Sequence, residues 1–122
     1  IKLCKENQAK SILNTPNKDF NEPCDGWQLT SFELMSLKER PISEAKIFGA
    51  STHNIDEALH AENILADYIS LSPIEDTSTH PNSKPLGWER ASSIIRQCEL
   101  PVFLVGGMRK ERFEKALSIG AH

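Results

Sequence analysis

The chain has 122 residues, enough for one domain, with 39% hydrophobic and 25% charged residues and a net charge of −3. That balance offers no basic surface for nucleic acid, and no apolar run approaches membrane-spanning length, so neither partner is expected. The three cysteines, Cys4, Cys24 and Cys98, are an odd count without Cys-x-x-Cys spacing; this points to free thiols in a reducing compartment, with a cytoplasmic location as the default, rather than to a disulfide frame or a zinc site.

In chain order, residues 1–9 carry a weak helical pattern through Ile1, Leu3, Cys4 and Ala9. Residues 10–14 then read as a short strand ending in Asn14, broken by Thr15-Pro16-Asn17. Residues 26–30 (Gly-Trp-Gln-Leu-Thr) read as a second strand. Ser31 can cap the helix that follows, with Leu34, Met35 and Leu37 as its apolar side and Pro41 closing it. Residues 45–52 read as a third strand. Asn54 with Glu57 three residues later has the form of a capping box, and Ile55, Ala58, Leu59, Ala61 and Leu65 are expected to line the inner side of that helix.

Residues 67–73 read as a fourth strand that stops at Pro73, which cannot donate to a ladder. A long polar loop follows, with Thr77, Ser78, Thr79 and His80 in a row. Residues 87–98 read as a helix with Ala91, Ile94, Ile95 and Cys98 inward. Residues 101–105 are the most apolar run in the chain, expected as a strand buried on both faces, with Gly106-Gly107 at its carboxyl end. Residues 109–119 read as the last helix, with Phe113, Leu117 and Ile119 inward and Gly120 as its C′ residue. Strand and helix alternate throughout, the sign of parallel βαβ units.

Short hydroxyl side chains beside unpaired backbone N–H groups suit a phosphate or pyrophosphate. By composition alone the 77–80 stretch is a surface loop of turn formers. Its place at the carboxyl end of a strand, where α/β proteins put their ligands, favours a site.

Several consecutive segments resemble the thiamine-phosphate synthase/TenI family. They are Gly26-Trp-Gln-Leu-Thr30, Gly49-Ala-Ser-Thr-His53, Ala66-Asp-Tyr-Ile-Ser-Leu-Ser-Pro73, Thr77-Ser-Thr-His80, Pro85-Leu-Gly87, Pro101-Val-Phe-Leu-Val-Gly-Gly107 and Gly120-Ala121. They fall in the family's order and at about its spacing over nearly the whole chain. The flavour of Leu-Thr-Ser and Pro-Leu-Gly-Trp-Glu is most similar to the TenI-like domain fused behind a Nudix (MutT-type) hydrolase domain, of the 8-oxo-dGTP diphosphatase type. The resemblance implies an α/β fold of the parallel (β/α) TIM-barrel type, incomplete here, with residues 1–122 supplying about five of eight βα units, the third to the seventh strand. The chain is therefore expected to be a piece of a longer protein. Open strand edges would also admit pairing with a second copy as a homodimer.

The family joins a pyrimidine pyrophosphate to a thiazole phosphate and releases pyrophosphate with the help of magnesium. Carried over residue by residue, the resemblance places Asn14, Thr77, Thr79, Gly106 and Gly107 on the phosphates of a small ligand. It places Ser51 and His80 at the pyrophosphate and Glu33 on Mg2+. Thr15 stands where the family has a metal-binding aspartate, and His80 where the synthase has a lysine; both changes remove charge. Glu33 reads equally as a first-turn acid favoured by the helix dipole. Ser51 could also simply fill the barrel interior, His53 could be a satisfied histidine at a strand end, and the two glycines could serve a tight turn as well as a phosphate. Pro73 occupies the place of the catalytic histidine of TenI-type tautomerases, which counts against that chemistry. Three functions stay open: a thiamine-phosphate synthase-like transferase of thiamin biosynthesis or salvage, a non-catalytic phosphate-binding regulatory domain beside a Nudix pyrophosphohydrolase, and a structural domain whose edges dimerise.

Overall fold

The structure, a computed structural model, describes residues 1–14, 20–76 and 84–122. Thr77, Thr79 and His80, expected in the site, and Thr15, expected beside it, lie outside the described residues.

Among the described residues five strands and five α-helices follow one another, alternating from the second strand on: α1 (Lys2–Glu6), β1 (Ile12–Asn14), β2 (Gly26–Leu29), α2 (Ser31–Ser36), β3 (Ile47–Thr52), α3 (Ile55–Asn63), β4 (Tyr68–Leu71), α4 (Trp88–Gln97), β5 (Val102–Leu104) and α5 (Phe113–Ser118), the last preceded by a 3₁₀ turn at Lys110–Arg112. The strands form one parallel sheet in the order β1-β2-β3-β4-β5. Each strand lies beside its sequence neighbour and the order never reverses. That is the winding of a (β/α) barrel; a doubly wound sheet would reverse direction at a switch point. The α/β TIM-barrel-type fold expected from the sequence is the fold found.

Register sorts the side chains into two faces. Trp27, Leu29, Phe48, Ala50, Thr52, Ile69, Leu71 and Val102 point to the helix layer and are all buried. Most join Leu34, Ala58, Ala61, Ala91 and Ile94 in one core. Ile12, Asn14, Gln28, Gly49, Ser51, Tyr68, Ser70 and Phe103 lie on the opposite, inner face, aligned in rows by the pairings Asn14–Gln28–Gly49–Tyr68 and Ser51–Ser70–Phe103.

Several expected inward residues face out instead. Phe113 and Leu117 are 61% and 47% exposed, and Ala116 takes the buried position of α5 with Ile119 packed beside it. Leu59, Leu65 and Met35 are likewise exposed. The expected double burial of the fifth strand fails too: Val102 is buried, but Phe103 is 44% exposed. The cause is common to α5 and β5. β5 is an edge among the described strands, so apolar side chains on the inner face and beyond that edge have no neighbouring strand to cover them.

The ends of α2 show where sequence reading took the neighbouring residue. Thr30, not Ser31, is the N-cap: its Oγ1 accepts from Glu33 N, and Glu33 Oε2 accepts from Thr30 N at 2.9 Å and Thr30 Oγ1 at 2.8 Å, a complete capping box. At α3, Asn54 Oδ1 accepts from Glu57 N at 2.9 Å as expected, but the Glu57 carboxylate returns to His53 N at 2.7 Å rather than to the N-cap N–H.

Two polar clamps tie the amino ends of the strands. Asp25 accepts from both N and Oγ of Ser11 at 2.9 Å and from Lys10 Nζ at 3.1 Å, which joins the approach to β1 with that to β2. The Arg40 guanidinium bonds Asp67 Oδ2 at 2.8 Å and the Lys46 carbonyl at 2.7 Å and reaches the Leu65 carbonyl, while Asp67 Oδ2 also accepts from Phe48 N at 2.6 Å. The clamps occupy the pole that a barrel devotes to stability, which leaves the carboxyl pole for ligands.

Candidate functional site

A parallel sheet gathers all its strand ends on one rim. Asn14 ends β1, and Gln28 stands on the inner face near the end of β2. Ser51 stands on the same face near the end of β3, and Ser70 near the end of β4. Gly106 and Gly107 follow β5 on the same rim. Ser51, which the resemblance assigned to a pyrophosphate, and Gly106 and Gly107, which it assigned to a phosphate, thus share one end of one sheet. Strands lie about 4.8 Å apart, so Ser51 is two spacings, roughly 10 Å, from either Asn14 or the glycine turn. A ligand touching both ends must be extended, larger than a single phosphate.

The glycine turn is demanded by geometry. Gly106 and Gly107 have φ of +82° and +71°, which side-chain-bearing residues rarely adopt. A Cβ on Gly106 would stand 2.8 Å from Pro73 Cα, and one on Gly107 would stand 2.9 Å from the Asp76 carbonyl oxygen. The strand pairing runs on past β4 and β5, with Ile74 N bonded to the Val105 oxygen at 3.0 Å and Glu75 N to the Gly106 oxygen at 3.2 Å. Among the described residues, neither glycine N–H is bonded to another backbone group. The tight-turn reading and the phosphate reading of this pair are compatible.

Glu75 holds this corner together. Its Oε1 accepts from Trp88 Nε1 at 2.7 Å, and its carboxylate pairs with Arg112, which also bonds the Gly107 carbonyl. Sequence reading missed all three residues, since they are scattered along the chain and no local pattern joins them. It also missed Gln28 and Ser70. Gln28 Nε2 donates to Ser51 Oγ at 3.1 Å and to Ser70 Oγ at 3.0 Å. The one available signal was a polar residue at alternate positions of otherwise apolar strands. Tyr68 lies beneath them, its ring edge-on to Phe103 at 5.5 Å, its phenol pKa pushed up by burial and then by the nearby Asp67 charge.

His53 Nδ1 lies 3.1 Å from Glu57 Oε2, the arrangement of a satisfied histidine at a strand end. Glu33, the expected magnesium ligand, commits Oε2 to the capping box. Among the described residues no three His, Cys, Asp or Glu side chains are grouped to hold a metal ion. Among the described residues no helix is long and apolar enough to cross a membrane.

Sequential parallel strands with polar inner tips define an α/β protein of the (β/α)-barrel type. Comparison with known proteins narrows this. Residues 1–122 match the family described as thiamine monophosphate synthase, and the chain belongs to that family. The thiamine-phosphate synthase of Fusobacterium nucleatum is 34% identical over 109 residues, covering 87% of this chain and 52% of the relative. That of Chlorobium phaeobacteroides is 31% identical over 123 residues, covering 98% and 60%. A solved thiamine phosphate pyrophosphorylase from Pyrococcus furiosus superposes with a TM-score of 0.75 at 24% identity, over 98% of this chain and 58% of that one, a likeness of fold. The chain spans about half the length of the curated relatives it matches.

Proposed function

We propose that the chain supplies the phosphate-binding rim of a thiamine-phosphate synthase-type transferase, which joins a pyrimidine pyrophosphate to a thiazole phosphate. The observation that carries this reading is the common rim: Ser51 on the inner face, with Gly106 and Gly107 beyond the same strand ends. Family membership and relatives called thiamine-phosphate synthase support it. The chemistry needs stabilisation of charge building on a leaving pyrophosphate. Ser51 O–H would donate to the pyrophosphate. The N–H groups of Gly106 and Gly107, together with Thr77, Thr79 and Asn14, would hold phosphate oxygens. His80 would add charge only in its protonated form. Glu33 already commits Oε2 to its capping box, so a metal would compete with Thr30 for the carboxylate.

That last point favours a second reading, a regulatory domain that binds the phosphorylated ligand without turnover. Thr15 in place of an aspartate favours it as well. The assay is formation of thiamine phosphate by the full-length protein with both precursors and magnesium. Turnover at an ordinary enzymatic rate supports the transferase. Binding of thiazole phosphate with no product supports the regulatory domain, and no phosphate affinity at all removes both.

A further inference from the structure

The inner face carries a hydrogen-bonded cluster whose geometry says more than that a serine is present. Gln28 on β2 reaches across β3 to β4, bonding Ser51 at 3.1 Å and Ser70 at 3.0 Å through one nitrogen. Its register partner on β3 is Gly49. A Cβ there would stand 2.5 Å from Gln28 Oε1 and 2.2 Å from Tyr68 Cζ, so only glycine lets the amide through. Ser51 and Ser70 are themselves register partners, and Ser70 Oγ stands 3.5 Å from Ser51 Oγ as a donor.

The direction of these bonds decides what Ser51 can do. An amide N–H only donates, so Ser51 Oγ accepts from Gln28, with Ser70 Oγ at the longer distance of 3.5 Å. With a lone pair so engaged, its proton is the group it can present outward. Among the described residues no acceptor is bonded to that proton. A hydroxyl fixed this way donates to an anion and is a poor ligand for a cation.

We propose that Gln28 is a positioning residue that, directly and through Ser70, fixes Ser51 as a donor to a phosphate or pyrophosphate oxygen. The proposal rests on the reading of Ser51 as a phosphate contact. It adds a dependence of that contact on a residue one strand away.

The test is calorimetric titration of inorganic pyrophosphate into full-length wild type, Ser51→Ala, Gln28→Met and the double variant, below the lowest melting temperature of the set. Methionine keeps the length of the side chain and removes the amide. Each single change is expected to weaken binding about tenfold, the scale of one hydrogen bond to a charged group. The double variant is expected to lose no more than about twofold beyond Ser51→Ala alone, because residues acting through one contact are not additive. A purely structural Gln28 would shift the melting temperature and leave affinity alone. Wild-type affinity in Gln28→Met, or full additivity in the double variant, overturns the proposal. Unchanged affinity in Ser51→Ala removes the phosphate reading of Ser51 itself, and the proposal with it. If Gln28→Met does not fold, Ser70→Ala takes its place: a weaker loss, absent in the Ser51→Ala background, is expected, and a loss that persists there overturns the proposal.

Discussion

Trp88 Nε1 donates to Glu75 Oε1 at 2.7 Å, and so the first residue of α4 is fastened to the chain just beyond β4. Arg112 pairs with the same carboxylate and bonds the Gly107 carbonyl, and Lys115 lies 4.4 Å above the Trp88 ring. One half-buried acid thus ties together the segment after β4, the start of α4 and the glycine turn after β5.

This corner predicts a graded loss of stability. Trp88→Phe removes one hydrogen bond to a charged group and is expected to cost about 1–2 kcal/mol in urea unfolding. Glu75→Ala also strands Arg112 and the indole N–H, and is expected to cost more, about 2–3 kcal/mol. Pyrophosphate affinity should fall as well, since the carbonyl of Gly107 loses the anchor that Glu75 orients. Wild-type unfolding by Glu75→Ala would refute this account of the corner.

Glu33 has two candidate roles that substitution separates. As the N3 acid of a capping box, Glu33→Ala should cost about 1 kcal/mol, and Glu33→Gln much less, because an amide oxygen can still accept from Thr30. If capping is its whole role, the magnesium dependence of any activity stays the same in Glu33→Gln. A magnesium requirement raised tenfold or more by that variant, with stability intact, would instead assign the carboxylate to the metal.

Asp25 gives a pH dependence with a definite sign. Hydrogen bonds from the Ser11 N–H, then the Ser11 hydroxyl, then Lys10, hold its pKa down to about 2. An unfolded aspartate titrates near about 3.9, so the folded chain is stabilised fully above that value, and the contribution fades as pH falls toward about 2. The melting temperature of wild type should therefore exceed that of Asp25→Asn at about pH 6, with the gap closing between about pH 4 and 2. A gap that does not change across this range would contradict the clamp.

The alternation of elements was legible because period-2 and period-3.6 apolar patterns are local, and each is punctuated by Pro, Gly or a capping residue within a few positions. All five strands lie where those patterns put them. Thr30-x-x-Glu33 was equally present in the sequence and was passed over for Ser31, since two adjacent hydroxyls compete for one cap and only backbone geometry separates them. Of the candidate site, Ser51 and the glycine pair were named through the family resemblance, position by position. Gln28, Ser70, Glu75 and Trp88 were not, since their partners lie 13 to 42 residues away.

The apolar residues of α5 and β5 mark the same boundary from the other side. Phe113, Leu117 and Phe103 have the spacing of buried residues, yet burial depends on what stands opposite them, and among the described strands nothing lies beyond β5. Local pattern and local stereochemistry therefore determined which segments are strands and helices, and that the strands run parallel. Which side chains meet, and that a glutamine reaches over a glycine to orient a serine, depended on register between strands distant in sequence. Cross-strand contact is a property of the assembled sheet, because neighbouring strands bring residues together whose separation along the chain carries no signal.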